Sequence, residues 1–191
     1  MCERCKWSVS SDLMIKYHDT EWGVPLHNDR KLFEFLVLEG FQAGLSWQIV
    51  LQKREAFRKA FDGFHPEIIS GYTDHKLNEL VLDKSIIRNK QKIAACVNNA
   101  QRFLEVQKEI GSFDRYIWGF VDYKPVVNTF IEPKELPATT PLSDKISADL
   151  KKRGFKFVGS KVVYAHMQAT GMVNDHLINC FRHKEVMANY S

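Results

Sequence analysis

The stretch Glu39-Gly40-Phe41-Gln42-Ala43-Gly44-Leu45-Ser46-Trp47 interrupts an amphipathic helix with a carboxylate, two glycines and a tryptophan. Upstream, Leu32, Leu36 and Glu39 share one face at helical spacing, so Glu39 stands where its neighbours predict an apolar side chain. A desolvated charge without a partner is too expensive to keep, and this carboxylate therefore needs either a structural hydrogen-bond donor or a ligand. Gly44 allows a positive φ or a close approach, Ser46 is a suitable N-cap, and Trp47-Gln48-Ile49-Val50-Leu51 begins another helix. The segment reads as helix, short wedge, helix.

The flanking chain continues this helical pattern. Ser11-Asp12 starts a helix whose two adjacent stripes hold Leu13 and Tyr17, and Met14, His18 and Glu21, before Gly23 and Pro25 end it. Asn28-Asp29 caps the helix that carries Glu39. The helix from Trp47 is expected to reach about residue 61, with Val50, Leu51, Phe57 and Phe61 inward. Short helices follow at 65–69 and 74–81, then a longer one from 89 to about 107 with Ile93, Val97, Ala100 and Leu104 inside. Between 119 and 141 the pattern loosens into a long connection with Pro125, Pro133, Pro137 and Pro141. Ser143-Asp144 is read as the cap of the next helix, and a last one spans 160 to about 170.

The chain has 191 residues, enough for one compact domain or two small lobes around an apolar core. With 27 basic and 23 acidic residues its formal net charge is +4, a mild bias that permits nucleic acid as a partner without demanding it. There is no uninterrupted apolar run of eighteen residues and no apolar leader, so a membrane-spanning or secreted protein is not expected and a cytoplasmic one is. Four cysteines in such a chain argue against a disulfide framework and leave metal binding or plain burial.

His176-Leu177-Ile178-Asn179-Cys180 places an imidazole and a thiol at i and i+4, neighbours on one face if the piece is helical and half of a tetrahedral metal site. Cys2, Cys5 and His18 are candidates for the other half, and His183 is a further competitor. Cys5 and His18 are preferred, because Cys2 lies at a frayed end while Cys5 is pinned beside Trp7. Four protein ligands make a closed, structural site. A zinc-protease helix is excluded by the missing Glu after His176, and Cys2-x-x-Cys5 lacks the preceding strand of a redox motif. Such a metal would staple the two ends of the chain and orient Tyr17 through its neighbour His18.

A second motif lies at Asp83-Lys84-Ser85-Ile86-Ile87-Arg88-Asn89-Lys90-Gln91-Lys92, an Ile-Ile pair in a short connector with basic flanks. It resembles a helix-hairpin-helix element, which aims backbone N–H groups and the positive end of its second helix at a phosphate. The alternative is a solvated turn. Ser85, Arg88, Lys90 and Lys92 are the candidate backbone contacts, although the glycines that usually make the turn are missing. The basic run Lys151-Lys152-Arg153 with Lys156 and Lys161 reads equally well as a solvated face.

Cys5-Lys6-Trp7, the block from Tyr17 to Pro25, the block from Leu38 to Trp47, Arg153-Gly154-Phe155-Lys156-Phe157-Val158-Gly159 and Val173-Asn174-Asp175-His176 together closely resemble the bacterial DNA-3-methyladenine glycosylase I family over nearly the whole chain. The resemblance implies an all-α fold of the helix-hairpin-helix glycosylase superfamily. Two helical lobes, 29–118 and 1–28 plus 142–191, would form a single glycosylase domain over 1–191 with its termini joined by a structural zinc ion. It implies Cys5, His18, His176 and Cys180 as the zinc ligands. It makes Glu39 the residue that recognises an expelled base, Tyr17, Trp47 and Trp7 its aromatic surroundings, and Gln42 and Leu45 a wedge into the duplex. Met14 stands where members of the family often carry a second tyrosine, which keeps polarizable contact and loses a hydroxyl.

The activity so implied is removal of 3-methyladenine from alkylated double-stranded DNA, leaving an abasic site in base excision repair. No aspartate matches the catalytic one of the wider superfamily, and no lysine is placed as a Schiff-base nucleophile, so strand cleavage is not expected. A zinc-stapled protein that recognises damage without chemistry is the alternative. No obligate protein partner is evident in the sequence.

Overall fold

The helix Asp29–Gln42 (α2) is buried from Leu32 to Phe41 on every side and forms the centre of the packing. A computed structural model describes residues 3–42 and 44–188; Cys2 and Ala43 lie outside them. In order, the other helices are Asp12–Thr20 (α1), Trp47–Ala60 (α3), Pro66–Ile69 (α4), Asp74–Leu82 (α5), Lys90–Ile110 (α6), Phe113–Trp118 (α7), Pro141–Lys152 (α8), Ser160–Ala169 (α9) and Phe181–Ala188 (α10). Two short strands, Val126–Val127 (β1) and Val173–Asn174 (β2), pair in parallel. The fold is thus mostly helical, with one small strand pair among the described residues and with α7 and α10 in addition to the expected helices.

Local chemistry sets most of the boundaries. Ser11 accepts the Met14 N–H to start α1, Asn28 accepts Lys31 N–H to start α2, and Asn89 accepts Lys92 N–H to start α6. Asp29 does more than begin a helix: its carboxylate receives the amides of Phe113 and Asp114 and the side-chain amide of Gln107, fastening α6 and α7 to the head of α2. Thr140, not Ser143, caps α8. Thr140 Oγ1 accepts Ser143 N–H while Ser143 Oγ accepts Thr140 N–H, a reciprocal box with Pro141 in the first turn.

α2 packs against α3, α6, α7 and α9. Its Phe33 and Phe41, with Phe57, Phe61, Phe64, Phe103, Phe113 and Trp118, are fully buried, each worth roughly 1.5–3 kcal/mol of transfer free energy. On α6 the inner stripe is turned from the one expected. Ile93, Cys96, Ala100, Phe103 and Val106 are buried, while Val97 and Leu104 are only partly so.

A second, smaller cluster joins Cys5, Met14, Tyr17, Trp22, Phe35, Leu51, Ala169 and Cys180, with Trp7 and Trp47 packed against it. It is closed by a partly buried charge network. Arg54 on α3 donates to Glu34 and Glu21, both at 2.6 Å, and its guanidinium lies 4.9 Å from the Phe35 ring centre. The turn after α9 presses on the segment after α1. Gly23 N–H donates to Gln168 O, Leu26 N–H donates to Thr170 O, and a Cβ on Gly171 would lie 2.3 Å from the Val24 carbonyl carbon. Only glycine, here at φ +71°, fits that approach.

Candidate active site

Tyr17 and His18 are consecutive on α1 and serve two different buried sites. His18 enters a tetrad with Cys5, His176 and Cys180, all four buried, their ligand atoms within 4.8 Å of one another. Cys180 Sγ lies 3.4 Å from His18 Nε2 and 3.6 Å from His176 Nδ1, and Cys5 Sγ lies 3.9 Å from His176 Nδ1. A tetrahedron with metal–sulfur bonds of about 2.3 Å and metal–nitrogen bonds of about 2.0 Å has sulfur–nitrogen edges of about 3.5 Å, so the donors are spaced to hold one metal ion. The outer nitrogens are engaged as such a centre needs. His18 Nδ1 meets Asp19 Oδ1 at 2.8 Å, Asp19 is gripped by Arg4, and His176 Nε2 faces the Trp22 carbonyl at 3.0 Å.

The spacing of His176 and Cys180 does its work without the helix that spacing suggested. Residues 175–180 form a turn after β2: Asn174 Oδ1 accepts His176 N–H and Leu177 O accepts Cys180 N–H. Buried Asn174 and Asp175 hold the chain open there, because their side chains are fixed to His183, Asn128, Tyr164 and Gln168. His183 Nε2 points to the Asn128 carbonyl, away from the tetrad. The two ends of the described chain meet at the tetrad, where Glu3 pairs with Cys180 and Phe181 N–H donates to Glu3 O.

Tyr17 turns instead to a cavity of about 250 Å³ lined by Trp7, Met14, Tyr17, Trp22, Glu39, Gln42, Trp47, Leu136, Ala165 and Gln168. Five of the expected base-site residues (Trp7, Met14, Tyr17, Glu39 and Trp47) thus meet in one place, joined by Gln42 at the rim. Tyr17 and Trp47 face each other at 5.5 Å between ring centres, inclined by 48°, and Trp7 lies 6.4 Å from Tyr17. Glu39 is 4% exposed, and its carboxyl makes no hydrogen bond or ion pair with any described residue. Burial alone pushes it up to about 8. Burial, and then the nearby Glu39 charge, also hold the Tyr17 hydroxyl well above its ordinary value. The Trp47 indole N–H is buried beside that hydroxyl without reaching hydrogen-bond geometry. A donor, a phenol and a carboxyl therefore converge on an aromatic cavity with their hydrogen bonds unmade.

Between α2 and α3, Gly44 has φ +86° with open space around it, and Leu45 is 37% exposed. Gln42 Nε2 donates to Leu45 O at 3.0 Å and Leu45 N–H donates to Gln42 O, which stiffens the turn. Ser46 stands at the head of α3 in extended backbone, but its side chain makes no cap. Exposed Ile49 lies on the next turn and was given no role by the sequence.

The connector between α5 and α6 closes without glycine because no residue from 83 to 89 has a positive φ. Asp83 accepts both the N–H and the hydroxyl of Ser85, Lys53 donates to Ser85 O, and Ile86 is buried. Ser85, Arg88 and Lys90 are exposed at its rim. Lys92 is not with them. It is buried, and its ammonium donates to the Phe41 carbonyl near the end of α2.

A family model described as methyladenine glycosylase matches residues 7–183. The chain belongs to this family. DNA-3-methyladenine glycosylase 1 of Escherichia coli (strain K12) is 45% identical over 178 residues, covering 93% of this chain and 95% of the relative. A crystal structure of 3-methyladenine DNA glycosylase I superposes with a TM-score of 0.91 at 45% identity, covering 94% of this chain and 98% of the other. A second, of a tyrosine-to-phenylalanine variant of 3-methyladenine DNA glycosylase I in complex with 3-methyladenine, gives 0.90 at 32% identity over 93% and 96%.

Trp22, Leu136, Ala165 and Gln168 line the cavity of this family member without having been marked by the sequence. Trp22 stood in a quoted block and carried a signal, an aromatic just before a glycine turn. The others come from the proline-rich connection and from α9, and carried none.

Proposed function

We propose that this enzyme is a monofunctional DNA-3-methyladenine glycosylase, acting on alkylated double-stranded DNA in base excision repair. The observation that carries the reading is the buried Glu39 carboxyl, without a hydrogen-bond or ion-pair partner among the described residues, lining an aromatic cavity. Extruding a base costs about a few kcal/mol of stacking and pairing, which an aromatic pocket and an inserted plug offset. Leu45 and Gln42, on the Gly44 turn, are the plug. Ser85, Arg88 and Lys90 at the hairpin rim, with the first amides of α6, hold the phosphates. Lys92 supports the end of α2 from within.

In DNA, 3-methyladenine is a cation. The π faces of Tyr17, Trp47 and Trp7 attract it, Met14 supplies a polarizable contact, and the Glu39 carboxylate accepts from its exocyclic amine. When the bond from the sugar C1′ to the base nitrogen breaks, its electron pair neutralises the base. Water then adds to C1′ and gives up a proton, leaving free 3-methyladenine and an abasic site. Because the leaving group is already charged, binding and orientation supply most of what is required.

We further propose that Cys5, His18, His176 and Cys180 hold one structural Zn2+, which joins the ends of the chain and fixes His18, and so Tyr17. The division into lobes 29–118 and 1–28 plus 142–191 would place the base pocket at their junction. A cytoplasmic location fits this reading, and among the described residues no helix is long and apolar enough to cross a membrane. Incubation with methylated duplex DNA should release 3-methyladenine, measured by chromatography. No release above buffer would favour damage recognition without chemistry.

A further inference from the structure

Gln168 reaches the cavity from α9, which packs against the α2 helix that carries Glu39, and its amide is not free to choose its orientation. Asp175, 1% exposed, accepts Asn128 Nδ2–H on Oδ1, and the Tyr164 hydroxyl and Gln168 Nε2–H on Oδ2. A carboxylate offers only acceptors, so the Gln168 atom facing it must be the NH2 group. The carboxamide oxygen is thereby turned the other way. It has no hydrogen-bond partner among the described residues and is not sealed from solvent.

We propose that Gln168 Oε1 is a second, specificity-determining acceptor in the pocket, taking one N–H of the base's exocyclic amine while Glu39 takes the other, with Asp175 as the positioning residue that fixes the amide. This rests on the reading of the cavity as a 3-methyladenine site. The chemistry discriminates by donor count. Methylated adenine presents two N–H groups at this ring position, whereas methylated guanine presents a carbonyl oxygen, which two acceptors repel. A buried polar site rejects a ligand that cannot pair with it far more strongly than an apolar pocket does. The backbone carbonyl of Gln168 also receives Gly23 N–H, so the residue is anchored at main chain and side chain together.

The test is a fluorescence titration of the full chain with 3-methyladenine and with 3-methylpurine, which lacks the amine. The parent should prefer 3-methyladenine. Gln168→Met keeps the length of the side chain and removes the amide; it should weaken 3-methyladenine binding about tenfold and leave 3-methylpurine unchanged. Equal losses for both ligands, or no loss, would overturn the proposal. Asp175→Asn supplies a second route, since an asparagine amide can face Gln168 and let its oxygen turn inward. That variant, with metal content equal to the parent's, should show the same selective loss, and full discrimination would remove Asp175 from the role. A parent that binds neither ligand contradicts the assignment of the pocket itself; a parent that binds, with indifferent variants, contradicts this inference alone.

Discussion

The tetrad and the cavity are both buried, both built on α1, and separated by one peptide bond between Tyr17 and His18, yet they treat their polar atoms in opposite ways. Around the tetrad each outer nitrogen is spoken for, by Asp19 for His18 and by the Trp22 carbonyl for His176. Around the cavity the Glu39 carboxyl and the Trp47 N–H have no hydrogen-bond partner among the described residues. Unmade hydrogen bonds in a buried place cost folding free energy, and proteins keep few of them. The difference separates a tetrad whose outer atoms the protein itself engages from a cavity whose polar atoms are left open, as the proposed base site requires. Trp22 belongs to both: its carbonyl steadies His176 while its side chain lines the cavity.

The comparison breaks most visibly at the tetrad. Cys180→Ala removes one of four ligands, and zinc measured by elemental analysis should fall from one per chain to near zero. Structural zinc is worth about 10–16 kcal/mol in peptides that have no other core. Here a large apolar core remains, so a loss of about 3–5 kcal/mol and a fall of about 10 °C in melting temperature is expected. A variant that melts with the parent would leave the tetrad without a metal.

Glu39→Gln is the matching change in the cavity, with the opposite signature. Release of 3-methyladenine should fall about 10- to 100-fold, since a charge-assisted hydrogen bond is lost. Stability should not fall with it. The folded carboxyl titrates at about 8 and the unfolded one near 4.5, so between these values the folded chain holds the extra proton and stability declines as pH rises. Above pH 8 the ionised form carries the whole penalty, and the glutamine variant should be the more stable of the two by chemical denaturation. Activity runs the other way. In the parent, kcat/KM on methylated DNA should climb with pH to a plateau above about 8 as Glu39 ionises, and the climb should vanish in Glu39→Gln. A parent-like pH profile in the variant would take Glu39 out of base recognition.

How far the sequence could be read follows the same line. Glu39 was visible because it broke a local period, and His176 and Cys180 because their spacing brings donors together even across a turn. α1, α2, α3 and α6 were visible through their caps and apolar stripes. What escaped was set by tertiary packing. Gln168 and Ala165 become pocket residues only because α9 lies against α2, and Leu136 arrives on a connection with no periodicity. α7, with six residues, and α10, with eight, are too short for a stripe to be counted. On α6 Ile93 and Ala100 are buried as expected, but Val97 and Leu104 give way to Cys96 and Phe103, because Phe103 packs on Phe33 and Phe113, which no local pattern announces.

Asp19→Asn sharpens the contrast without removing a ligand. It keeps the shape of the side chain and takes away the charge that faces His18 Nδ1 and Arg4. Outer-layer changes of this kind lower metal affinity about 10- to 100-fold, and competition with a chelator should show it. Base release at saturating zinc should stay near the parent's, because the cavity does not include Asp19. If release fell as far as in Glu39→Gln, the two sites would be one.

The smallest effect repeats the comparison within a single turn of α6. Lys92 is closed on the protein, its ammonium on the Phe41 carbonyl, while Lys90 is exposed at the hairpin rim with no ion pair to a described residue. Counterion release makes the logarithm of DNA affinity fall with the logarithm of salt by about 0.9 for each phosphate neutralised. Lys90→Ala should therefore lower the slope by about one, uniformly across sequences and with the melting temperature unchanged. Lys92→Met should leave the slope alone and lower the melting temperature, because it strips a donor from a buried carbonyl. Equal slopes in the two variants would mean that the hairpin rim does not meet the backbone, and the phosphate contacts would then have to be sought on the basic residues 151–161.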